Sequence, residues 1–155
     1  MQITRTADYG VRVMTQLALL PLGTRMTVAD MAQESGASMA FVGKILQRLV
    51  RARLVVSHRG YEGGFELARE ANTISLLDIV SALEGPLCLN ECLAGGPGCD
   101  RASWCAAEEV WKNAQAALAA VLRQATLDTV AAVTAQRSRA VGIGVGAAAT
   151  APAAG

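Results

Sequence analysis

The chain has 155 residues, 17% of them charged, and a formal net charge of +1 at pH 7. This length suits one domain with a core that needs no covalent cross-links, and the near-neutral balance excludes strongly basic and strongly acidic proteins. The charge is nevertheless uneven, because residues 1–67 hold eight Lys/Arg and five Asp/Glu, whereas residues 68–130 hold four and eight. A basic front part and an acidic middle favour a nucleic-acid-binding region joined to a second functional region.

The N-terminal sequence, MQITRTADYG, is polar and lacks the apolar core of a secretory signal. No apolar run reaches the ~18 residues that a membrane-spanning helix requires. We therefore expect a cytoplasmic protein with no membrane partner. In that reducing compartment, clustered cysteines indicate metal or redox chemistry.

A helix-turn-helix is predicted after a first helix over residues 2–20. Thr27 can cap the first helix of the pair, Gly36 can end it, and Ser38 can cap the second helix, which runs to residue 51. In such a motif the start of the second helix meets base edges, and basic residues further on meet phosphates. The candidate DNA contacts in this helix are Ser38, Ala40, Phe41, Lys44 and Arg48. An ordinary helical hairpin with a charged, solvated face is the alternative.

The next segment predicts a β-hairpin that would form a wing. A β-branched run at residues 54–57 and an alternating run at residues 65–67 flank a glycine-rich turn. Arg59 at the tip is suited to a narrow minor groove, and the glycines let the backbone approach phosphate closely. The wing adds Ser57, Arg59, Gly60 and Gly63 to the candidate DNA contacts.

All four cysteines lie within residues 88–105, in the stretch CLNECLAGGPGCDRASWC. No close Cys-x-x-Cys pair is present, and the long glycine-rich gaps fit an iron–sulfur cluster better than a structural zinc ion. We expect Cys92, Cys99 and Cys105 to be three ligands, with the fourth position filled by Cys88, a carboxylate or a small molecule. Cys88 is more simply read as a packed thiol. Metal-free cysteines and a zinc site remain alternatives.

The C-terminal part predicts a helix and a tail. Residues 102–130 are Ala-rich with one broad apolar stripe, which would be buried most simply in an isologous dimer. Residues 131–155 are expected to be a disordered Ala/Gly-rich tail. The predicted organisation is a DNA-binding domain over residues 1–87, a cluster-binding loop over residues 88–105, the dimerisation helix and the tail. The fold class is mainly α, a winged helix-turn-helix with a two-stranded wing.

Residues 1–130 resemble the bacterial iron–sulfur winged-helix regulators of the IscR, NsrR and RirA type, and most of all those encoded with the SUF cluster-assembly system. The segments that carry this resemblance are ITRTADYGVRVMTQLA, SHRGYEGGFELAR, ISLLDIVSALEGP and ECLAGGPGCDRASWC. It implies a homodimer with crossed long helices and one cluster per subunit near the interface, [4Fe–4S] being favoured over [2Fe–2S]. It implies Cys92, Cys99 and Cys105 as ligands. It also makes Asp8 a candidate fourth ligand supplied by the partner subunit, against the simpler interpretation of a first-turn carboxylate favoured by the helix dipole.

The function expected from these observations is regulatory. We find no paired base and nucleophile and no phosphate-binding glycine loop, so we do not expect an enzyme. We expect a transcription factor, a repressor that binds double-stranded operator DNA, is gated by the cluster and controls SUF-type assembly genes. A nitric-oxide- or iron-responsive repressor is the alternative, and a cluster-bearing redox protein is a remote one. Gly43 stands where some IscR-like proteins carry an acidic residue, so operator preference is not expected to carry over.

Overall fold

The computed structural model describes residues 3–60, 63–93 and 104–142. Within these ranges the chain forms a mainly α winged helix-turn-helix, which confirms the predicted fold class. The elements in chain order are α1 Arg5–Ala18, α2 Val28–Ser35, α3 Met39–Arg51, β1 Val55–His58, β2 Gly64–Leu67, α4 Leu76–Glu84, α5 Ala106–Gln124 and α6 Leu127–Ala140, with short 3-10 turns at Ala71–Thr73 and Glu91–Leu93.

Side-chain caps fix where the first four helices begin. Thr4 caps α1 and Ser38 caps α3, each accepting a hydrogen bond from a backbone N–H three residues on. Thr27 and Ser75 cap α2 and α4 in reciprocal capping boxes, because the carboxylates three residues later accept from the cap N–H groups. Each cap contributes about 1 kcal/mol to stability.

One hydrophobic core joins the first four helices to the wing. Helices α1 and α3 turn their apolar faces inward, and α4 packs against both. The largest side chains that are completely buried there are Met14, Met26, Met31, Ile45, Leu46, Leu49, Ile74 and Ile79.

Helices α1 and α4 approach closely at a glycine. A Cβ placed on Gly10 would lie 2.1 Å from Cδ1 of Leu83, which is far below a van der Waals contact. The absence of a side chain at Gly10 therefore sets how near the last turn of α4 comes to α1.

The wing is an antiparallel pair in which Val55 faces Leu67 and His58 faces Gly64. Met26, just before α2, extends this sheet by exchanging two backbone hydrogen bonds with Phe65, at 3.0 and 2.9 Å. The wing is thereby attached to the start of the helix-turn-helix as well as to its end.

Helix α5 packs against α4 and the Glu91–Leu93 turn, but none of its residues is buried. Helix α5 ends at Gln124 and α6 begins at Leu127. At this junction the Leu127 N–H donates to the Ile74 carbonyl at 2.8 Å, and the Leu76 N–H donates to the Ala125 carbonyl at 2.9 Å. These bonds fasten the α5–α6 junction to the two residues that flank Ser75, the N-cap of α4.

Helix α6 returns to α1, and Leu127 and Ala131 are buried there. The prediction of a disordered tail from residue 131 is therefore wrong as far as Ala140, because this segment has a packing partner within the chain. The remainder of the predicted tail, residues 143–155, lies outside the described residues.

Candidate functional site

The second helix of the motif, α3, presents one polar face. Its apolar face is anchored by Val42, Ile45, Leu46 and Leu49, all buried in the core. The opposite face is solvent-exposed and carries Ser38, Ala40, Lys44, Gln47 and Arg51. Three of the predicted DNA contacts thus lie together on an accessible, positively charged surface.

Two predicted contacts in α3 also have roles that the sequence did not indicate. Phe41 is half-buried and packs edge-on against Tyr9 of α1, with ring centroids 5.5 Å apart. Arg48 reaches towards α4, where its Nη1 donates to the carbonyl of Leu83 at 2.6 Å. Both side chains therefore hold α3, the predicted recognition helix, against α1 and α4.

The remaining predicted contacts lie at the wing turn. Ser57, Arg59 and Gly60 are exposed, and Gly63 is half-buried. A Cβ at Gly63 would lie 2.7 Å from the carbonyl oxygens of both Gly60 and His58, so this turn requires glycine there.

An ion-paired cluster stiffens the base of the wing. His58 Nε2 lies 2.9 Å from Glu66 Oε1 across the hairpin, and Arg25 Nε lies 3.6 Å from Glu66 Oε2. The pairing of His58 with Glu66 depends on the register of the hairpin, which the sequence alone does not specify. The cluster orients the wing relative to the segment before α2.

The described cysteines lie between α4 and the start of α5. Cys88 follows α4 and its Sγ donates to the Asn90 carbonyl at 2.9 Å, while Cys92 lies in the Glu91–Leu93 turn. The Leu89 N–H donates to Gln115 Oε1 at 2.9 Å, which ties this segment to the middle of α5. Cys105 occupies the N-cap position of α5, and Cys99 lies outside the described residues.

The first two turns of α5 place charged side chains near Cys92. The pKa of Lys112 is raised, first because Glu108 accepts its hydrogen bond at 2.7 Å and then through the Glu108 charge, with a smaller contribution from Cys92. Cys92 is therefore within electrostatic range of an ammonium group on α5.

These residues fit a thiolate-bound iron–sulfur cluster chemically. Cys88, Cys92 and Cys105 are free, half-buried thiols, and sulfur donors favour such clusters. The N-terminus of α5 at Cys105 favours negative charge, part of which Glu108 and Glu109 in its first turn already supply. Among the described residues, however, no three His, Cys, Asp or Glu side chains come together as a metal site.

Asp8, the candidate fourth ligand, is separate from this group within one chain. Its carboxylate is half-exposed and forms an ion pair with Arg12 at 2.9 Å, one turn on in α1. The Arg12 guanidinium also lies over the Tyr9 ring, 5.1 Å from its centroid. Any ligation by Asp8 would displace this local pair.

Comparison with known proteins gives one consistent result. A family model described as "Rrf2: Iron-dependent Transcriptional regulator" matches residues 3–133. A protein of Mycobacterium tuberculosis H37Rv, named as a candidate HTH-type transcriptional regulator, is 37% identical over 131 residues, or 84% of this chain and 81% of its own. Protein rrf2 of Nitratidesulfovibrio vulgaris is 31% identical over 127 residues, covering 82% and 85% of the two chains.

Solved structures match as well. CymR, the global cysteine regulator of B. subtilis, superposes with a TM-score of 0.71 at 28% identity, covering 86% of this chain and 98% of its own. T. potens IscR also gives 0.71, at 26% identity, covering 88% and 90%. In the described part of the chain, no helix is long and apolar enough to cross a membrane.

Proposed function

Because the chain belongs to the Rrf2 family of DNA-binding transcriptional regulators, we propose that it is a homodimeric, cytoplasmic repressor whose operator binding is gated by an iron–sulfur cluster. The observation that carries this proposal is the position of two cysteines: Cys92 lies in the Glu91–Leu93 turn, which packs against α5, and Cys105 is the N-cap of α5. Helix α5 in turn packs on α4, which borders the recognition helix. The fold alone does not choose the signal, since CymR and IscR superpose equally well.

We assign ligation to Cys92, Cys99 and Cys105, with Asp8 of the partner as the fourth ligand. When bound, an iron–sulfur cluster supplies a link among three thiolates that oxidation or iron loss can break. Ligation through Cys92 and Cys105 joins the segment after α4 to the start of α5, and so fixes α5 relative to the DNA-binding part. We infer a [4Fe–4S] cluster, with [2Fe–2S] as the alternative.

The DNA-binding proposal rests on the polar face of α3 and on the wing. Ser38, Ala40 and Lys44 would meet the major groove, while Ser57, Arg59, Gly60 and Gly63 would follow the backbone and minor groove. Dimerisation would bring two such faces onto half-sites about 34–36 Å apart. The exposed apolar residues of α5 supply a surface for that pairing. We propose genes for SUF-type cluster assembly as targets, on the strength of the sequence resemblance.

The test compares Cys105→Ala with Cys88→Ala in anaerobically purified protein. We expect Cys105→Ala to lose the cluster, seen by native mass spectrometry and visible absorbance, and to change affinity for the operator upstream of the cluster-assembly genes. Cys88→Ala should keep both properties, because Cys88 lies outside the proposed ligand set. A Cys105→Ala protein with wild-type absorbance and wild-type affinity would refute the gating model.

A further inference from the structure

Three contacts, one with α3 and two with α1, hold the last turn of α4. Arg48 of α3 donates to the Leu83 carbonyl at 2.6 Å, and Leu83 packs into the space left by Gly10 of α1. The Thr4 hydroxyl, at the start of α1, donates to the Glu84 carboxylate. The recognition helix and α1 thus both act on one helical turn.

The Arg48 contact has a physical reason. The last four carbonyls of a helix lack partners within it, and the partial negative charge there favours a cation. Helix α4 has no basic residue in its own last turn, so the guanidinium of Arg48 supplies that charge from α3. A charge-assisted hydrogen bond of this kind is stronger than one between neutral groups.

The same turn leads directly into the cysteine segment. Gly85 ends α4 with φ 85°, and Pro86 and Leu87 then connect it to Cys88. On the other side of the contact, Arg48 lies one turn beyond Lys44 on the recognition helix. A displacement of α4's end therefore bears on α3 through the Arg48 hydrogen bond as well as through the packing of the two helices.

We propose that Arg48 is a positioning residue that couples the cysteine segment to the recognition helix through the Leu83 carbonyl. This inference rests on the proposed function and names the contact by which its two regions communicate. It differs from the phosphate contact predicted from the sequence, because the guanidinium acts within the chain. Coupling of this kind changes the ratio of operator affinities between two states, typically 5- to 150-fold.

The experiment measures operator affinity of cluster-loaded and cluster-free protein by fluorescence anisotropy across a salt series. Arg48→Gln is compared with wild type and with Arg51→Gln. Arg51 is the matched control, since it borders the same end of α4 from the same helix, yet among the described residues no hydrogen bond joins it to α4. Circular dichroism establishes that each variant is folded.

We expect Arg48→Gln to reduce the affinity ratio between the two states at least fivefold, towards 1, and Arg51→Gln to preserve it. Arg48→Lys should retain the ratio within about threefold, because an ammonium can donate to a single carbonyl. If Arg48 instead contacts phosphate, Arg48→Gln weakens both states equally and lowers the salt slope by about 1, which overturns the proposal.

A second measurement separates failure of this inference from failure of the gating model. Because coupling is reciprocal, operator binding to cluster-free wild type should slow hydrogen exchange at residues 85–93 at least fivefold. Arg51→Gln should keep that protection and Arg48→Gln should lose it. Wild type that is insensitive to the cluster would refute gating alone, whereas equal protection in both variants would refute the role of Arg48.

Discussion

Arg53 lies two residues after the end of α3, in a backbone conformation that L-residues avoid. Its φ is 58°, in the left-handed region. The two hydrogen bonds that follow, Leu54 N–H to the Leu49 carbonyl and Arg53 N–H to the Val50 carbonyl, each 3.0 Å, form the Schellman arrangement. Glycine usually occupies this position, because a Cβ in left-handed backbone costs ~1–2 kcal/mol.

Replacing Arg53 by Gly should therefore stabilise the protein. We expect a gain of about 0.5–1 kcal/mol in the free energy of unfolding, since the relieved strain exceeds the added entropy of the unfolded chain. Arg53→Ala keeps the Cβ and should give no such gain. Urea denaturation of the three proteins measures both differences, and a Gly variant less stable than the Ala variant would contradict the argument.

At the residue scale, the sequence predicted what is local. The caps Thr27 and Ser38 were identified correctly because a cap and its partner lie three residues apart. The bond from Arg48 to Leu83 spans 35 residues, and no periodicity in the chain indicates it. The left-handed backbone at Arg53 was missed for another reason, since the usual glycine is absent.

The wing is the element most dependent on one glycine. At Gly63, a Cβ would meet two backbone carbonyl oxygens at 2.7 Å, and backbone cannot move aside as a side chain can. We expect Gly63→Ala to lower the free energy of unfolding by about 1–3 kcal/mol and to weaken operator binding.

Gly43 provides the control for that substitution. It lies within α3, and a Cβ there has no neighbour within 4 Å. Gly43→Ala should raise the free energy of unfolding by about 0.5–1 kcal/mol, because alanine favours the helix. Thermal unfolding of both variants tests the pair, and a neutral Gly63→Ala would show that the turn can rearrange.

Two residues of α6 are buried, Leu127 and Ala131, and Leu127 is the larger and is completely buried. Leu127→Ala should lower the free energy of unfolding by about 2–5 kcal/mol, as cavity-forming substitutions in cores do. Val133→Ala, on the same helix but 40% exposed, should cost less than about 1 kcal/mol. Urea denaturation distinguishes the two, and equal losses would argue against specific docking of α6.

Element boundaries in the C-terminal part were only partly predictable. Residues 102–140 are helix-forming almost throughout, and the structure divides them at Ala125 and Thr126. That break is imposed from elsewhere in the chain, by the backbone bonds of Ile74 and Leu76 to the junction. The packing of α6 on α1 explains why the helix continues beyond residue 131, where the Ala-rich composition suggested a tail.

At the scale of the whole molecule, α5 is packed on one side and exposed on the other within the described structure. Its inner side packs on α4, whereas Val110 and Val121 are 62% and 63% exposed. The apolar stripe was predicted from periodicity, and an exposed apolar strip on a small domain favours a partner. The ligand set is a prediction of a different kind, because Cys99 lies outside the described residues and its role rests on the cysteine spacing.

Disrupting this strip should separate the proposed dimer. Val121→Glu places a charge on the exposed apolar side of α5, and we expect it to give a monomer in analytical ultracentrifugation at micromolar concentration. Ala116→Glu makes the same charge change about 140° around the helix, at another exposed residue, and should remain dimeric.

The same pair of variants tests how the two subunits share the operator. A monomer loses the gain from simultaneous half-site binding, so Val121→Glu should bind a two-half-site operator ~100-fold more weakly than Ala116→Glu. Affinity for an isolated half-site should be equal in the two variants, because α3 and the wing are distant in sequence and unchanged. If Val121→Glu stayed dimeric with full operator affinity, the pairing surface would have to lie elsewhere than on α5.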